Sequence, residues 1–200
     1  MENNDLHHYK SAKFIKSITS IKEAPAENLS EVLFVGKSNV GKSSLINALT
    51  NNKKLAYTSS NPGHTRLLNY FLIDNSFYFV DAPGYGFSAQ KDKDYAFYGN
   101  MIESYFETNP NLKCVIFLLD SRRIPNEDDI LFYNFIKSTH YPYLIVMTKC
   151  DKLNMSMKSK IKNNLKNTLN IDNFNEIILC SVNDKKSLLE LKNRINQYIN

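Results

Sequence analysis

The stretch Glu31-Val-Leu-Phe-Val-Gly-Lys-Ser-Asn-Val-Gly-Lys-Ser-Ser-Leu-Ile-Asn47 constrains the fold more than any other part of the chain. Val32 to Val35 is an apolar, strand-like run, Gly36 to Ser43 reads Gly-x-x-x-x-Gly-Lys-Ser, and Ser44-Leu45-Ile46-Asn47 opens a helix. Strand, loop and helix in that order are what a phosphate-binding loop requires. A loop bent at Gly36 and Gly41 turns the backbone N–H groups of Lys37, Ser38, Asn39 and Val40 inward, and the helix behind it adds its partial positive charge. Lys42 supplies a full charge to β- and γ-phosphates. The Ser43 hydroxyl is a hard oxygen suited to Mg²⁺, and Ser44 continues the phosphate contacts into the helix.

At 200 residues, 42% hydrophobic and 22% charged, the chain is long enough for one domain with a sizeable core. No apolar run approaches the length of a membrane-spanning helix, and the polar start with Glu2 and Asp5 argues against a secretory signal. A cytoplasmic monomer with no membrane partner is expected. Cys114, Cys150 and Cys180 are widely spaced and form no CxxC pair, so reduced, buried thiols are expected rather than disulfides or zinc. The net charge of +5 permits a nucleic-acid partner without demanding one. Of the 6 glycines, Gly36, Gly41, Gly63, Gly84 and Gly86 all fall in segments suited to phosphate handling, and only Gly99 does not.

Residues 1–30 read as an N-terminal extension that adds an edge strand or packs as an arm, with residues 31–200 as the nucleotide-binding domain. Ser43 to Leu55 reads as the first helix, Leu67 to Ile73 and Phe77 to Val80 as a hairpin turning at Asp74-Asn75-Ser76. Then follow a helix (Tyr95 to Glu107), a strand (Cys114 to Leu119), a helix (Asn126 to Lys137), a strand (Leu144 to Met147), a helix (Met155 to Leu169), a strand (Glu176 to Leu179) and a helix (Leu188 to Ile199). Nearly continuous apolar strands alternating with helices predict an α/β, doubly wound, mostly parallel sheet covered on both faces, with ligand sites at the carboxyl ends of the strands.

Four further segments fall at such strand ends. Asp81-Ala82-Pro83-Gly84 offers a carboxylate for Mg²⁺ and, at Gly84, a backbone N–H for a γ-phosphate. Gly63-His64-Thr65-Arg66-Leu67 lies in a polar loop whose Thr65 is placed to close over Mg²⁺. Thr148-Lys149-Cys150-Asp151 suits guanine, whose N1–H and N2–H are adjacent donors that one carboxylate, Asp151, accepts together; adenine lacks the second donor. The stem of Lys149 lies along the base. Cys180-Ser181-Val182 follows the last strand, where a backbone N–H meets guanine O6.

Gly-Lys-Ser-Asn-Val-Gly-Lys-Ser-Ser-Leu-Ile-Asn, Pro-Gly-His-Thr-Arg, Asp-Ala-Pro-Gly-Tyr-Gly and Thr-Lys-Cys-Asp together resemble the EngB (YihA/YsxC) family of bacterial GTP-binding proteins, over residues 14–199. The resemblance implies a six-stranded P-loop GTPase domain of the TrmE-Era-EngA-EngB-Septin kind, with one antiparallel edge strand. It also implies GTP and GDP exchange, Mg²⁺ held by Ser43, Thr65 and Asp81, catalysis resting on Lys42, Thr65 and Gly84, a role in large ribosomal subunit assembly with rRNA and ribosomal proteins as partners, and a need in cell division and septation. Cys180-Ser181-Val182 departs from the more usual Ser-Ala or Ser-Ser pattern.

Ras-like GTPases place a water-orienting Gln after the DxxG glycine; here that position is Tyr85, so intrinsic hydrolysis is expected to be slow. Asn39 stands where related GTPases that use K⁺ instead of an arginine finger carry Asn, which makes K⁺ a candidate activator. Lys152, Lys158, Lys160, Lys162 and Lys166 gather on and before one helix, either an RNA-facing surface or a solvated face. The competing function is an ATP- or nucleoside-directed phosphotransferase using the same loop. A third is a binding module with negligible turnover.

Overall fold

The computed structural model describes residues 9–56, 67–86, 93–171 and 173–199. Its strands are β1 (Ala12–Ile18), β2 (Ser30–Gly36), β3 (Leu68–Ile73), β4 (Phe77–Asp81), β5 (Leu112–Asp120), β6 (Tyr143–Thr148) and β7 (Ile177–Leu179). Its helices are α1 (Lys42–Leu49), α2 (Lys93–Thr108), α3 (Glu127–Ser138), α4 (Met155–Leu169) and α5 (Lys185–Ile199).

These strands form one sheet in the order β1-β3-β4-β2-β5-β6-β7. It has seven strands rather than the six that the resemblance implies, because β1 pairs antiparallel with β3 from Ala12↔Ile73 to Ile18↔Leu68. β3 runs against both its neighbours, and all pairs from β4 to β7 are parallel. The edge strand β1 is antiparallel to its neighbour, as expected, and β3, the strand that runs against the others, lies just inside it. A register irregularity between Phe14 and Lys16, with exposed Lys13 and half-buried Lys16, keeps that outer edge from recruiting another strand. The hairpin between β3 and β4 closes through left-handed Asp74 and Asn75, at φ +50° and +52°.

The alternation inside each central strand divides the core. Leu33, Val35, Val115 and Phe117 face α2, α3 and α4, where Tyr105, Tyr133, Ile161 and Leu165 are buried. Val32, Phe34, Ile116 and Leu118 face α1 and α5, where Leu45, Leu49, Leu191 and Ile195 are buried. Both faces of β2 and β5 are apolar because both are covered, the pattern of a doubly wound sheet.

Helix ends differ from the sequence pattern for local reasons. α1 stops at Leu49, not Leu55, because the Asn47 amide turns the chain back: its Oδ1 accepts from Ala56 N at 2.7 Å and its Nδ2 donates to Ala56 O at 2.9 Å. α5 begins at Lys185, three residues before Leu188, because the Asp184 carboxylate accepts from Lys186 N (3.1 Å) and Ser187 N (3.2 Å).

At the amino end of the central strand, Glu31 is 2% exposed and its Oε2 accepts from Tyr70 OH (3.2 Å), Tyr105 OH (2.5 Å) and Asn109 Nδ2 (2.8 Å). Burial raises the Glu31 pKa, with the three donors opposing. Tyr105→Phe is expected to destabilise the fold by about 1–3 kcal/mol in urea denaturation at neutral pH, the cost of a buried acceptor losing a donor. The folded-state pKa is already above its unfolded value, so the carboxylate weakens the fold as pH rises. Removing a donor raises that pKa further, and the deficit is therefore expected to shrink as pH is lowered.

Candidate functional site

Every segment singled out in the sequence that lies among the described residues reaches the carboxyl edge of the parallel strands. β2 ends at Gly36, where a Cβ would sit 2.8 Å from Leu118 O of β5, so the loop leaves the sheet at a point only glycine allows. Gly41, at φ +112°, makes the turn into α1. The loop is fastened from the far side of the sheet. Thr148 Oγ1 donates to Val40 O (2.8 Å) and Leu119 O (3.2 Å), and Lys149 Nζ donates to Asn39 O (2.8 Å).

Beneath the loop lie two opposite charges. Lys42 is 9% exposed, and its Nζ stands 4.0 Å from Asp81 Oδ1 at the end of β4. Ser43 Oγ donates to Asp81 Oδ2 at 3.3 Å. Burial pushes the Asp81 carboxyl up, opposed by Lys42 and Ser43; burial pushes the Lys42 ammonium down, opposed by Asp81. Asp81 Oδ1 is buried and accepts no hydrogen bond among the described residues. A buried carboxylate oxygen without a donor, next to a serine hydroxyl, is a hard-oxygen pair of the kind that holds a divalent cation. Tyr98 of α2 was not foreseen from sequence: its buried hydroxyl also lacks a partner among the described residues, and after burial the Asp81 charge is what raises its pKa.

The chain after Asp81 lies against the loop. Ala82 N donates to Phe34 O (3.0 Å), Ser38 N to Tyr85 O (3.1 Å) and Ser38 Oγ to Gly84 O (3.2 Å). Ala82 and Pro83 are buried. Any Cβ on Gly84 would fall 2.6 to 2.8 Å from Ser38. Tyr85 turns its ring away into the core, where its hydroxyl donates to Asp129 Oδ1 of α3 at 2.7 Å.

On the opposite flank, Asp151 accepts from Ser181 Oγ (2.8 Å) and Asn183 Nδ2 (3.4 Å). The Ser181 hydrogen bond, above all, holds its carboxyl below the usual range. Gly41, Ser44, Lys149, Asp151, Cys180 and Val182 line a cleft of about 160 Å³ between this flank and the loop. Cys150 N donates to Cys180 O at 3.4 Å, joining the two segments, and all three cysteines are free and buried.

Sequence reasoning missed Asp120. It ends β5 and accepts from Lys149 Nζ at 3.0 Å while taking a two-pronged bond from Arg122, Nε at 2.9 Å and the terminal nitrogen at 2.7 Å. Burial alone raises its carboxyl, but the bonds from Arg122 and Lys149 outweigh burial and hold it well below the usual range. The available signal was its place at a strand end. Gly63, His64, Thr65 and Arg66 lie outside the described residues; Leu67 enters β3 at the edge that carries Asp81. On α4, Lys160 and Lys166 are exposed and Lys158 is half-buried, with Lys152 exposed just before it; the Lys162 side chain lies outside the description.

A family model described as "50S ribosome-binding GTPase" matches residues 31–149. The chain is 44% identical over 191 residues to a "Probable GTP-binding protein EngB" of Clostridium acetobutylicum, covering 96% of each. Among solved structures it resembles a probable GTP-binding protein engB, with TM-score 0.68 and 24% identity over 85% of this chain and 98% of that one. It also resembles Era in complex with MgGDPNP and nucleotides 1506–1542 of 16S ribosomal RNA, with TM-score 0.64 and 28% identity over 86% of this chain and 57% of that one.

The Asp120 geometry has a measurable consequence. Its folded pKa lies below the unfolded value of about 3.9, so the stability it confers is present above that pH and lost as pH falls through the folded pKa. In thermal melts, Asp120→Asn is expected to lower the midpoint at neutral pH, and the gap to the parent protein is expected to close on acidification.

Proposed function

The chain belongs to the EngB family of P-loop GTPases, and from that premise we propose that it is a slow, Mg²⁺-dependent GTP switch that assists assembly of the large ribosomal subunit and is needed for normal cell division and septation. One observation carries the nucleotide reading: the loop over Lys42 and the carboxylate of Asp151 open onto the same edge, joined through Lys149. A guanine nucleotide laid along that edge puts its phosphates at Gly36 to Ser44 and its base in the cleft beside Asp151.

Each role follows from chemistry already described. Lys42 and the N-terminus of α1 neutralise phosphate charge. Ser43 and Asp81, with Thr65, would hold Mg²⁺, which when bound would offset the charge that develops on the phosphates. The Gly84 N–H meets the γ-phosphate and, with Thr65, distinguishes GTP from GDP. Asp151, kept ionised by Ser181, accepts both guanine donors, while the backbone at Ser181 and Val182 meets O6. Lys149 is held by Asp120 and the Asn39 carbonyl so that its stem lies along the base. Tyr85, its hydroxyl engaged with Asp129, orients no water, which keeps turnover slow and leaves room for activation by K⁺ at Asn39 or by the ribosomal particle. Residues 31–200 form the nucleotide-binding domain and residues 1–30 an extension of it, in the cytoplasm and as a monomer. The exposed lysines of α4 offer rRNA a basic surface.

Titration with fluorescent GDP, GTP and ATP analogues in the presence of Mg²⁺ tests the core of the reading. Binding of guanine nucleotides alone, lost in Asp151→Asn, is the expected result; tight ATP binding indifferent to Asp151 would put a phosphotransferase in its place. Hydrolysis is also expected to run several-fold faster in K⁺ than in Na⁺ at equal ionic strength, and equal rates would remove K⁺ from the mechanism.

A further inference from the structure

We infer that Tyr85 is a positioning residue: by clamping the Gly84–Gly86 segment between the phosphate loop and α3, it presets the Gly84 N–H for a γ-phosphate and so sets the preference for GTP over GDP. The inference rests on the GTPase reading above.

The segment is held from both sides. Toward the loop, Ser38 reaches it twice, from its backbone N–H to Tyr85 O (3.1 Å) and from its hydroxyl to Gly84 O (3.2 Å). Lys37 and Tyr85 also pair as an isolated parallel bridge. Beyond Tyr85 the chain turns at Gly86 (φ +73°), where a Cβ would meet the Lys37 side chain at 2.6 Å; Lys37 Nζ in turn bonds Asp128 Oδ2 at 3.1 Å. Toward the core, Tyr85 is 6% exposed, its ring stacks on Phe132 of α3 (centroids 4.8 Å apart, planes 15°), and its hydroxyl donates to Asp129 Oδ1 at 2.7 Å.

Asp129 is itself a fixed acceptor. Its Oδ2 takes the Asn126 N–H at 3.0 Å while Asn126 Oδ1 takes the Asp129 N–H at 3.3 Å, a reciprocal cap that ties the carboxylate to the first turn of α3. Gly84 is one residue from this anchor. For its peptide to rotate or withdraw from the loop, Tyr85 must slide off Phe132 and leave Asp129, a buried carboxylate, short of a donor. A hydrogen-bond donor held in place before the ligand arrives binds more tightly than one that must first be ordered. GDP has no γ-phosphate and makes no contact at Gly84, so the gain falls on GTP alone.

That asymmetry separates positioning from a general structural role. The dissociation constants of GDP and of a non-hydrolysable GTP analogue are measured for the full chain and for Tyr85→Phe, which keeps the ring and removes the hydroxyl. Affinity for the analogue is expected to fall by roughly five- to ten-fold, about one hydrogen bond's worth, with GDP affinity unchanged and GTP turnover at saturation reduced. Phe132→Leu removes the stack while sparing the hydroxyl bond, and it is expected to lower the analogue-to-GDP preference in the same direction, so the inference can be judged even if Tyr85→Phe does not fold. Equal weakening of both nucleotides, or no change in their ratio in either variant, would overturn the inference and leave the GTPase reading intact. Failure of the parent protein to bind either guanine nucleotide would overturn both.

Discussion

Two opposite charges buried under one loop govern this molecule. Neither Lys42 nor Asp81 can be taken out of water alone without a cost of several kcal/mol per ion. At 4.0 Å each partly compensates the other, and the Ser43 hydroxyl satisfies one carboxylate oxygen. The remaining oxygen has no donor among the described residues. A buried polar atom left in this way is uncommon, and the pair is a stability problem that a hard cation beside it would relieve. The crossed-over order of the sheet follows the same need, because β4 must lie directly beside β2 for Asp81 to stand under the loop that β2 feeds.

Around that pair the structure ties distant parts of the chain to a few backbone carbonyls. Val40 O is taken by Thr148, Asn39 O by Lys149, and the Gly84 and Tyr85 carbonyls by Ser38. The loop is therefore a junction where the flank that carries Asp151 and the flank that carries Gly84 both terminate. Asp120 and Asp129 serve as the two outer anchors, one for Lys149 and one for Tyr85.

The loop, the aspartate at the end of β4 and the Thr-Lys-Cys-Asp segment were legible because their chemistry is written in contiguous residues at fixed spacing, and because apolar runs covered on two faces announce a parallel sheet. What was not legible depends on partners far away in sequence. Asp120 looks like any strand-end acid until Lys149, 29 positions on, reaches it. Tyr85 was readable only as the absence of a glutamine; its actual engagement needs Asp129, 44 positions away. β1 was legible only as one of two alternatives, an edge strand or an arm, because its apolar residues are few and Phe14 and Ile15 stay exposed. The end of α1 is decided by the side chain of Asn47, which folds back onto residues nine positions later.

The cysteines flanking the cleft carry a chemical consequence of their own. Cys150 and Cys180 sit in the two segments that frame Asp151, where a reactive thiolate would expose the site to oxidants and electrophiles. Burial prevents this. It pushes the Cys180 thiol up to about 12 and raises that of Cys150 as well, so both remain protonated at neutral pH, and a protonated, enclosed thiol is a poor nucleophile. The two sulfurs serve as small apolar filling between the strand ends beside the cleft.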